Sequence, residues 1–152
     1  MTRLAVLLAT AGGAGYAPIA PGTAGSAVGV AAFLLTRHWP AGWQVAAVGL
    51  VTIIGIWAAT GAAEHFGRPD PGPVVTDEVA GQWLTLLLTG VGPLGAFVGF
   101  LIFRVLDVLK PWPARRLENL PSGLGIMADD LMVALYGNLI LHLGARVLFG
   151  AA

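Results

Sequence analysis

Long apolar segments separated by short polar ones dominate the chain. The clearest of them runs from position 41 to 63, AGWQVAAVGLVTIIGIWAATGAA, and contains no charged residue. At a rise of 1.5 Å per residue such a helix is about 34 Å long, which is enough to cross the ~30 Å hydrocarbon core of a bilayer. We therefore predict a membrane-spanning helix in this segment.

Two further apolar segments are predicted to be helical. The segment 24–36, AGSAVGVAAFLLT, is rich in small residues, which allow neighbouring helices to approach closely. The segment 131–149 carries Asn138 and His142 four residues apart, so that one polar stripe is expected to face protein. The pattern leaves open whether either segment crosses the membrane completely.

The apolar stretch from 79 to 103 is interrupted by TGVGP at 89–93, with two glycines and a proline. Each half is only about 15 Å long as a helix, too short to cross a bilayer alone. We predict a broken helical hairpin that returns to its starting side. The stretches 66–75 and 110–125 concentrate proline, glycine and charge, and are predicted loops.

Strand-like alternation and internal repeats are not apparent, so the predicted fold class is all-α. The expected architecture is a compact multi-helical membrane-embedded bundle made of a single domain, 1–152. The composition agrees with it, because 57% hydrophobic residues and a mean hydropathy of +0.81 exceed what a soluble domain normally carries. We do not interpret the N-terminal segment as a cleaved signal, because it leads directly into candidate functional sequence.

Charge and cysteine content exclude several function classes. Eight basic and eight acidic side chains give a formal net charge of zero, so no electrostatic footprint for nucleic acid exists. Cysteine is absent, which excludes disulfides, thiolate nucleophiles and zinc-thiolate centres. Oxygen and imidazole remain as metal ligands, and the three histidines have no metal-ligand spacing.

Acidic residues cluster at the edges of three apolar segments. They are Asp77 with Glu78, Asp107, and Asp129 with Asp130. A helix cap explains one carboxylate, but the second member of each pair repels the first. Such clusters become favourable when a hard divalent cation binds between them, so we predict one shared Mg²⁺ site.

Basic and hydroxyl residues accompany these carboxylates. Arg104, Asp107 and Lys110 lie along one side of a predicted helix, where an ordinary ion-paired helix end is an equally good interpretation. In APIAPGTAGS, Thr23 and Ser26 stand at the start of a predicted helix, whose free N–H groups can hold a phosphate. For that motif alone, simple helix capping is the better interpretation.

Four ordered motifs together resemble the phosphatidylglycerophosphatase A family of bacterial Mg²⁺-dependent lipid phosphatases. They are PIAPGTAGS, DPGPVVTDEVAGQWLTL, FLIFRVLDVLKPWPARRLE and GLGIMADDLMVALYGN. The resemblance covers about Gly15 to His142 and implies an all-helical fold and hydrolysis of phosphatidylglycerophosphate to phosphatidylglycerol and inorganic phosphate. In the last motif it implies a glycine-rich turn, Gly123 and Gly125, before the paired aspartates.

The expected site combines carboxylates that hold one or two Mg²⁺ ions with residues that bind the substrate phosphate. The catalytic and metal-binding set is Asp77, Glu78, Asp107, Asp129 and Asp130, and the substrate-binding set is Thr23, Ser26, Arg104, Lys110 and Arg115. We expect water to attack phosphorus with one carboxylate as base; an aspartyl-phosphate intermediate is the competing route. The hairpin is required, because a single crossing would separate Asp77 and Glu78 from the other carboxylates.

The uneven distribution of basic residues predicts how the chain is oriented in the membrane. Arg68, Arg104, Lys110, Arg115 and Arg116 fall on one side of the predicted topology, against Arg37 and Arg146 on the other. By the positive-inside rule the chain is a multi-pass protein of the bacterial cytoplasmic (inner) membrane with its site facing the cytoplasm. The number of metal ions, the identity of the base and the formation of homo-oligomers stay open.

Rival functions lack their sequence signatures. A CDP-alcohol phosphotransferase needs its spaced Asp-Gly and Ala-Arg motif, a vanadium-peroxidase-like phosphatase needs a histidine that PSGLG at 121–125 does not supply, and a haloacid-dehalogenase Asp-x-Asp motif is absent. A non-enzymatic cation carrier remains open, since carboxylates bind ions without chemistry.

Overall fold

The computed structural model describes residues 2–149, and the side chains only as far as Ala145, so that Arg146 lies outside the described side chains. Its α-helices are α1 (Thr2–Ala9), α2 (Pro21–Thr36), α3 (Ala41–Phe66), α4 (Thr76–Leu86), α5 (Pro93–Leu109), α6 (Ala114–Leu117) and α7 (Ser122–Phe149). A 3₁₀ helix at Ala11–Tyr16 joins α1 to α2. Positions 2–149 contain no strand, which confirms the all-α prediction.

Within residues 2–149, two helices are long and apolar enough to cross a membrane. They are α3, with a mean hydropathy of 2.0, and α7, with a mean hydropathy of 1.5. The exterior of the bundle also carries large exposed apolar side chains, among them Leu35, Leu94 and Ile53. Two apolar helices of this length and many exposed apolar side chains indicate association with a membrane.

The hairpin prediction is confirmed, and α7 explains how its turn is stabilised. Helix α4 ends at Leu86, Gly90 adopts a left-handed φ of +67°, and α5 begins at Pro93. The Asn138 amide of α7 donates to the carbonyl oxygens of Leu84, Thr85 and Leu87 at 3.1, 3.2 and 2.8 Å. Because these carbonyls at the end of α4 have lost their helical partners, Asn138 satisfies them and the polar stripe of α7 faces protein, as predicted.

The loop prediction for 110–125 is wrong in two places, because helix α6 occupies Ala114–Leu117 and α7 already begins within the predicted loop. Helix α7 begins at Ser122, so that Gly123 and Gly125 lie in its first turns rather than in a turn before it. A Cβ at Gly123 would collide with the backbone of Ile56 and Thr60 on α3. These glycines are therefore required by close packing against neighbouring backbone, a constraint that turn statistics do not contain.

Small residues bring α2 against α4, as the sequence predicted. A Cβ added at Gly25 would lie 2.7 Å from Val75 Cβ, and one at Gly29 would lie 2.6 Å from the Val79 carbonyl oxygen. The helices approach this closely only because both positions lack a side chain. The approach holds the start of α4, with its two acidic residues, next to the start of α2.

Candidate active site

The acidic pairs come together where α4 begins, α5 ends and α7 passes. Asp77 and Glu78 lie in the first turn of α4, and Asp130 lies about two turns into α7. One carboxylate oxygen from each of these three residues lies within 4.8 Å of the other two. We call Asp77, Glu78 and Asp130 the inner carboxylates.

The other two predicted carboxylates are each paired with a cation. Asp107 Oδ2 lies 2.7 Å from Arg104 Nη1, and Asp129 Oδ2 lies 2.6 Å from Lys110 Nζ. Arg104 also approaches Glu78, with 4.0 Å between Nη1 and Oε1. Asp107 and Asp129 thus form an outer layer that positions two cations beside the inner carboxylates.

These groups line a cavity of about 470 Å³ that is open on one side. Among the residues that the structure describes, its lining includes one basic side chain, Lys110, against the seven acidic residues Asp70, Asp77, Glu78, Asp107, Glu118, Asp129 and Asp130. The protein alone does not neutralise this excess of negative charge. The cavity is therefore suited to a bound cation.

Several buried carboxylate oxygen atoms of the cavity have no hydrogen-bond partner among residues 2–145 and are available to a metal ion. Asp77 Oδ1, Glu78 Oε2, Asp129 Oδ1 and Asp130 Oδ2 are buried and accept no hydrogen bond within the described part of the chain. Burying such an oxygen without a partner costs several kcal/mol, on the order of a lost charged hydrogen bond. An all-oxygen, carboxylate-rich donor set fits a hard divalent cation.

The pKa values of the two carboxylates at the start of α4 reflect their burial and their closeness to other carboxylates. Burial raises the pKa of Asp77 well above its ordinary value, and the neighbouring carboxylates Glu78 and Asp130 raise it further. Burial also raises the pKa of Glu78. For Glu78 the nearby Arg104 lowers the pKa but does not offset the effect of burial.

Lys110 is fixed by two acidic partners. Burial lowers the pKa of Lys110, but its hydrogen bonds to Asp129 and Glu118 outweigh this, and the pKa lies above the ordinary lysine value. The Nζ atom is 2.6 Å from Asp129 Oδ2 and 2.5 Å from Glu118 Oε1. The ammonium group is thus charged and held at the wall of the cavity.

Helix capping does not account for the acidic pairs in the way the sequence allowed. The paired aspartates of α7 lie inside the helix, so the capping interpretation of Asp129 and Asp130 is wrong. Asp77 and Glu78 do lie in the first turn of α4, where the helix dipole favours carboxylates, but the cap residue is Val75, which makes no side-chain cap.

The predicted substrate-binding residues divide into two groups. Lys110 lines the cavity, and Arg104 lies directly behind it in contact with Asp107. Ser26 is a buried residue of α2 that does not line the cavity, and Thr23 and Arg115 are exposed outside the cavity. Neither Thr23 nor Ser26 caps α2, because the helix begins at Pro21 after Ala20 and its cap makes no side-chain hydrogen bond.

Helix α2 reaches the cavity through Pro21 and Gly22 instead. A Cβ at Gly22 would collide with the Glu78 carboxylate and lie 3.0 Å from Arg104 Nη1. The glycine therefore makes room for the contact between Glu78 and Arg104. This role was not apparent from the sequence, where the motif was interpreted through its hydroxyl groups.

Sequence reasoning also missed Glu118 and Asp70, which line the cavity. Glu118 follows the short helix α6. Because α6 turns the chain back on itself, Glu118 contacts Lys110, which lies eight residues earlier in the sequence. Both residues lie in segments predicted as loops, so periodicity gave no indication of where their side chains point. Their acidic character beside other charges was the available signal.

Comparisons with known proteins agree on one family. The family model for phosphatidylglycerophosphatase A matches residues 7–145. The chain is 37% identical to the phosphatidylglycerophosphatase A of Escherichia coli over 90% of this chain and 80% of that protein. It is 31% identical to the Haemophilus influenzae protein of that name, over 88% and 84% of the two chains.

A further relative carries a different name. The chain is 35% identical to a Bacteroides thetaiotaomicron protein described as a putative phosphatidylinositol-3-phosphatase, over 95% of this chain and 96% of that protein. No solved structure matches the chain. All three relatives are named for the removal of phosphate from a phospholipid.

Proposed function

The chain belongs to the phosphatidylglycerophosphatase A family, and we propose that its carboxylate cavity hydrolyses phosphatidylglycerophosphate to phosphatidylglycerol and inorganic phosphate. The observation that carries this proposal is the cluster of inner carboxylates, with unpartnered oxygen atoms, beside two fixed cations. A phosphate monoester bound in the cavity would lie beside the carboxylates that can hold a metal ion and beside the two cationic side chains. The metal ion and these side chains would both stabilise the negative charge of the phosphate during its transfer. The apolar exterior of the bundle agrees with a lipid substrate.

The inner carboxylates are the residues that would hold Mg²⁺. They are Asp77, Glu78 and Asp130, whose oxygen atoms lie closest together. A divalent cation bound there supplies positive charge to the phosphate oxygens and activates water toward phosphorus. Asp129 also has an unpartnered oxygen atom, Oδ1, but it lies outside this set of three.

The two cations serve the phosphate itself. Lys110 and Arg104 are held by Asp129 and Asp107, so without substrate the charge of Lys110 stays at the wall of the cavity and that of Arg104 directly behind it. Phosphoryl transfer depends mainly on positioning and on stabilising charge at the phosphate oxygens. Because their counterions are already in place, these side chains offer preorganised donors. We assign no phosphate contact to Thr23, Ser26 or Arg115.

In the hydrolysis that we propose, water forms the new bond to phosphorus and the bond to the glycerol oxygen breaks. A cavity carboxylate accepts the proton of the attacking water, and the leaving glycerol oxygen is protonated to give the alcohol of phosphatidylglycerol. Asp129 suits the role of base, because its Oδ1 has no partner among the described residues while Lys110 holds its Oδ2 in place. Recovery of a phosphorylated aspartate after rapid quenching would contradict direct attack by water.

We also propose a multi-pass topology in the bacterial inner membrane with the cavity facing the cytoplasm. Lys110, Arg115 and Arg116 stand at the cavity end of the bundle, and Arg68 precedes the cavity-lining loop at Pro69. Arg37 follows the opposite end of α2. The positive-inside rule then supports a cytoplasmic cavity.

The direct test is a phosphatase assay on the purified protein in detergent micelles. With Mg²⁺, we expect release of inorganic phosphate and equimolar phosphatidylglycerol from phosphatidylglycerophosphate. Phosphatidic acid, lysophosphatidic acid and phosphatidylinositol 3-phosphate are offered in competition, since the Bacteroides relative is named for an inositol lipid. Asp77→Asn serves as the inactive control. Absence of phosphate release with every divalent ion would favour the cation carrier.

A further inference from the structure

A shallow apolar groove lies between α2 and α5, outside the carboxylate cavity. Its volume is about 300 Å³, and its lining consists of Ala27, Val30, Pro93, Phe97 and Phe100. Ala27 is exposed and Phe97 is 55% exposed, so the groove opens to the surroundings of the bundle rather than into its core. We call these five residues the α2–α5 groove.

On α5 the groove leads toward the cavity. Pro93, Phe97 and Phe100 are followed on the same helix by Arg104 and Asp107, at spacings of four, three, four and three residues. Such spacing keeps all five side chains on one helical face. The apolar part of this face therefore continues into the ion pair of Arg104 and Asp107, and Asp107 lines the cavity.

On α2 the second wall of the groove leads to the same place. Pro21 and Gly22 line the cavity, whereas Ala27 and Val30 line the groove one to two turns further along. Thr23 is exposed and stands one turn before Ala27 on the same face. The two walls thus run together away from the cavity, with Thr23 and Arg104 at the junction.

The length of this path matches one leaflet of a bilayer. From Arg104, at the junction with the cavity, to Pro93, α5 rises about 17 Å, and half of a bilayer's hydrocarbon core measures about 15 Å. A lipid with its phosphate in the cavity would therefore have its acyl chains alongside this part of α5. Aliphatic and aromatic lining without a charged side chain suits a hydrocarbon chain.

A larger apolar cavity does not offer the same continuity. It measures about 560 Å³ and involves Leu94, Val98 and Ile102 of α5 together with residues of α7. Continued along the helix, this face reaches Val105 and Leu109, which are exposed and do not line the carboxylate cavity. Only the α2–α5 groove, of these two, shares a helix face with cavity residues.

We propose that the α2–α5 groove binds one acyl chain of the phospholipid whose phosphate monoester enters the carboxylate cavity. This inference rests on the proposed function and extends it to the apolar part of the substrate. Thr23 and Arg104 then lie beside the glycerol and ester region, which gives the exposed Thr23 a contact that the cavity itself does not provide. The chain in the groove positions the phosphate, and so favours long-chain lipids over water-soluble phosphate esters.

The test fills the groove with a bulky side chain. In Ala27→Trp the indole would occupy the groove, and Val28→Trp is the matched control, because position 28 points about 100° away around the helix. Substrates are dioleoyl and dibutanoyl phosphatidylglycerophosphate in mixed micelles. We expect Ala27→Trp to lower kcat/KM about tenfold for the dioleoyl lipid, mainly through KM, and to leave the dibutanoyl lipid and both reactions of Val28→Trp within about twofold.

The outcomes separate the two proposals. If the wild-type protein hydrolyses neither lipid, the proposed function fails and the groove assignment falls with it. If the wild type is active and Ala27→Trp changes the two substrates equally, the phosphatase stands and the groove assignment is overturned. Loss of a homodimer in Ala27→Trp, measured by light scattering, would instead assign the groove to a second copy of the chain.

Photolabelling of the wild-type protein keeps the proposal testable if the tryptophan variant does not fold. The probe is a phosphonate analogue of phosphatidylglycerophosphate with a diazirine in one acyl chain, in phosphatidylcholine vesicles. We expect adducts at Phe97 and Phe100 that excess unlabelled dioleoyl phosphatidylglycerophosphate removes. Labelling spread over all exposed helices and insensitive to this competitor would mean bulk lipid, and would overturn the proposal.

Discussion

Asp130 illustrates how a side chain that is unfavourable by itself becomes useful in a site. It is 2% exposed, its Oδ2 accepts no hydrogen bond from the described residues, and it lies within 4.8 Å of oxygen atoms of Asp77 and Glu78. Three carboxylates at this separation repel one another without a counterion. Their repulsion is relieved when a cation binds, so metal binding and stability are coupled.

We therefore predict opposite effects of Asp130→Asn on the protein with and without metal. Without Mg²⁺, removal of one negative charge from the cluster leaves Tm unchanged or raises it. At Mg²⁺ concentrations about 100 times Kd, the wild type gains about 2.7 kcal/mol of stability, and Asp130→Asn loses most of that gain together with at least about 100-fold in kcat. Thermal unfolding in detergent with EDTA or Mg²⁺, and the phosphatase assay, measure both.

Asp107→Asn is the control for that experiment. Asp107 is paired with Arg104 and lies outside the three inner carboxylates, so this variant keeps most of the Mg²⁺-dependent rise in Tm. If Mg²⁺ raises the Tm of Asp130→Asn as much as it raises the Tm of the wild type, the ion binds elsewhere.

Helix packing decides which glycines matter for the site. Gly22 of α2 faces Glu78 and Arg104, whereas a Cβ added at Gly49, in the interior of α3, would meet no atom of the described residues within 4 Å. The two positions look alike in sequence, since both lie in apolar helices rich in small residues. Their different surroundings predict opposite consequences of the same substitution.

Gly22→Ala is expected to reduce kcat/KM by at least about tenfold, because the new methyl group displaces the Glu78 carboxylate from its place beside Arg104. Gly49→Ala is expected to leave activity unchanged and to raise the free energy of unfolding by up to about 1 kcal/mol, the difference in helix propensity between the two residues. Steady-state kinetics and unfolding in denaturant measure the pair. Full activity in Gly22→Ala would contradict the close approach of α2 to the site.

The charged cavity and the hairpin turn lie at opposite ends of the helical bundle. The cavity, with Lys110 and Glu118, stands where α2 and α4 begin and α5 ends. The hairpin turn stands at the other end, where a Cβ on Gly92 would lie 4.0 Å from Arg37 Nη1. Since the native chain has no cysteine, each end can be labelled separately.

Single-cysteine variants should react from opposite sides of the inner membrane. Asn119→Cys lies at the cavity and His38→Cys beside Arg37, and both positions are exposed. With a membrane-impermeant maleimide we expect His38→Cys to react in spheroplasts and Asn119→Cys only after permeabilisation. The reverse pattern would invert the proposed orientation, and labelling of both from outside would exclude a bundle that spans the membrane.

The amino-acid sequence was enough to predict the long helices, the break between α4 and α5, the polar face of α7 and the acidic clusters. These features follow from local patterns: apolar length, glycine and proline as breakers, and spacing around a helix. The three-dimensional packing was needed to show that Asp77, Glu78 and Asp130 lie together. It also showed that Asp107 and Asp129 pair with cations and that Glu118 reaches Lys110. In the structure α2 contributes Gly22 to the cavity, whereas the sequence had indicated Thr23 and Ser26. Such contacts depend on how helices distant in sequence approach one another, and that approach is set by packing around small residues, which no local pattern encodes.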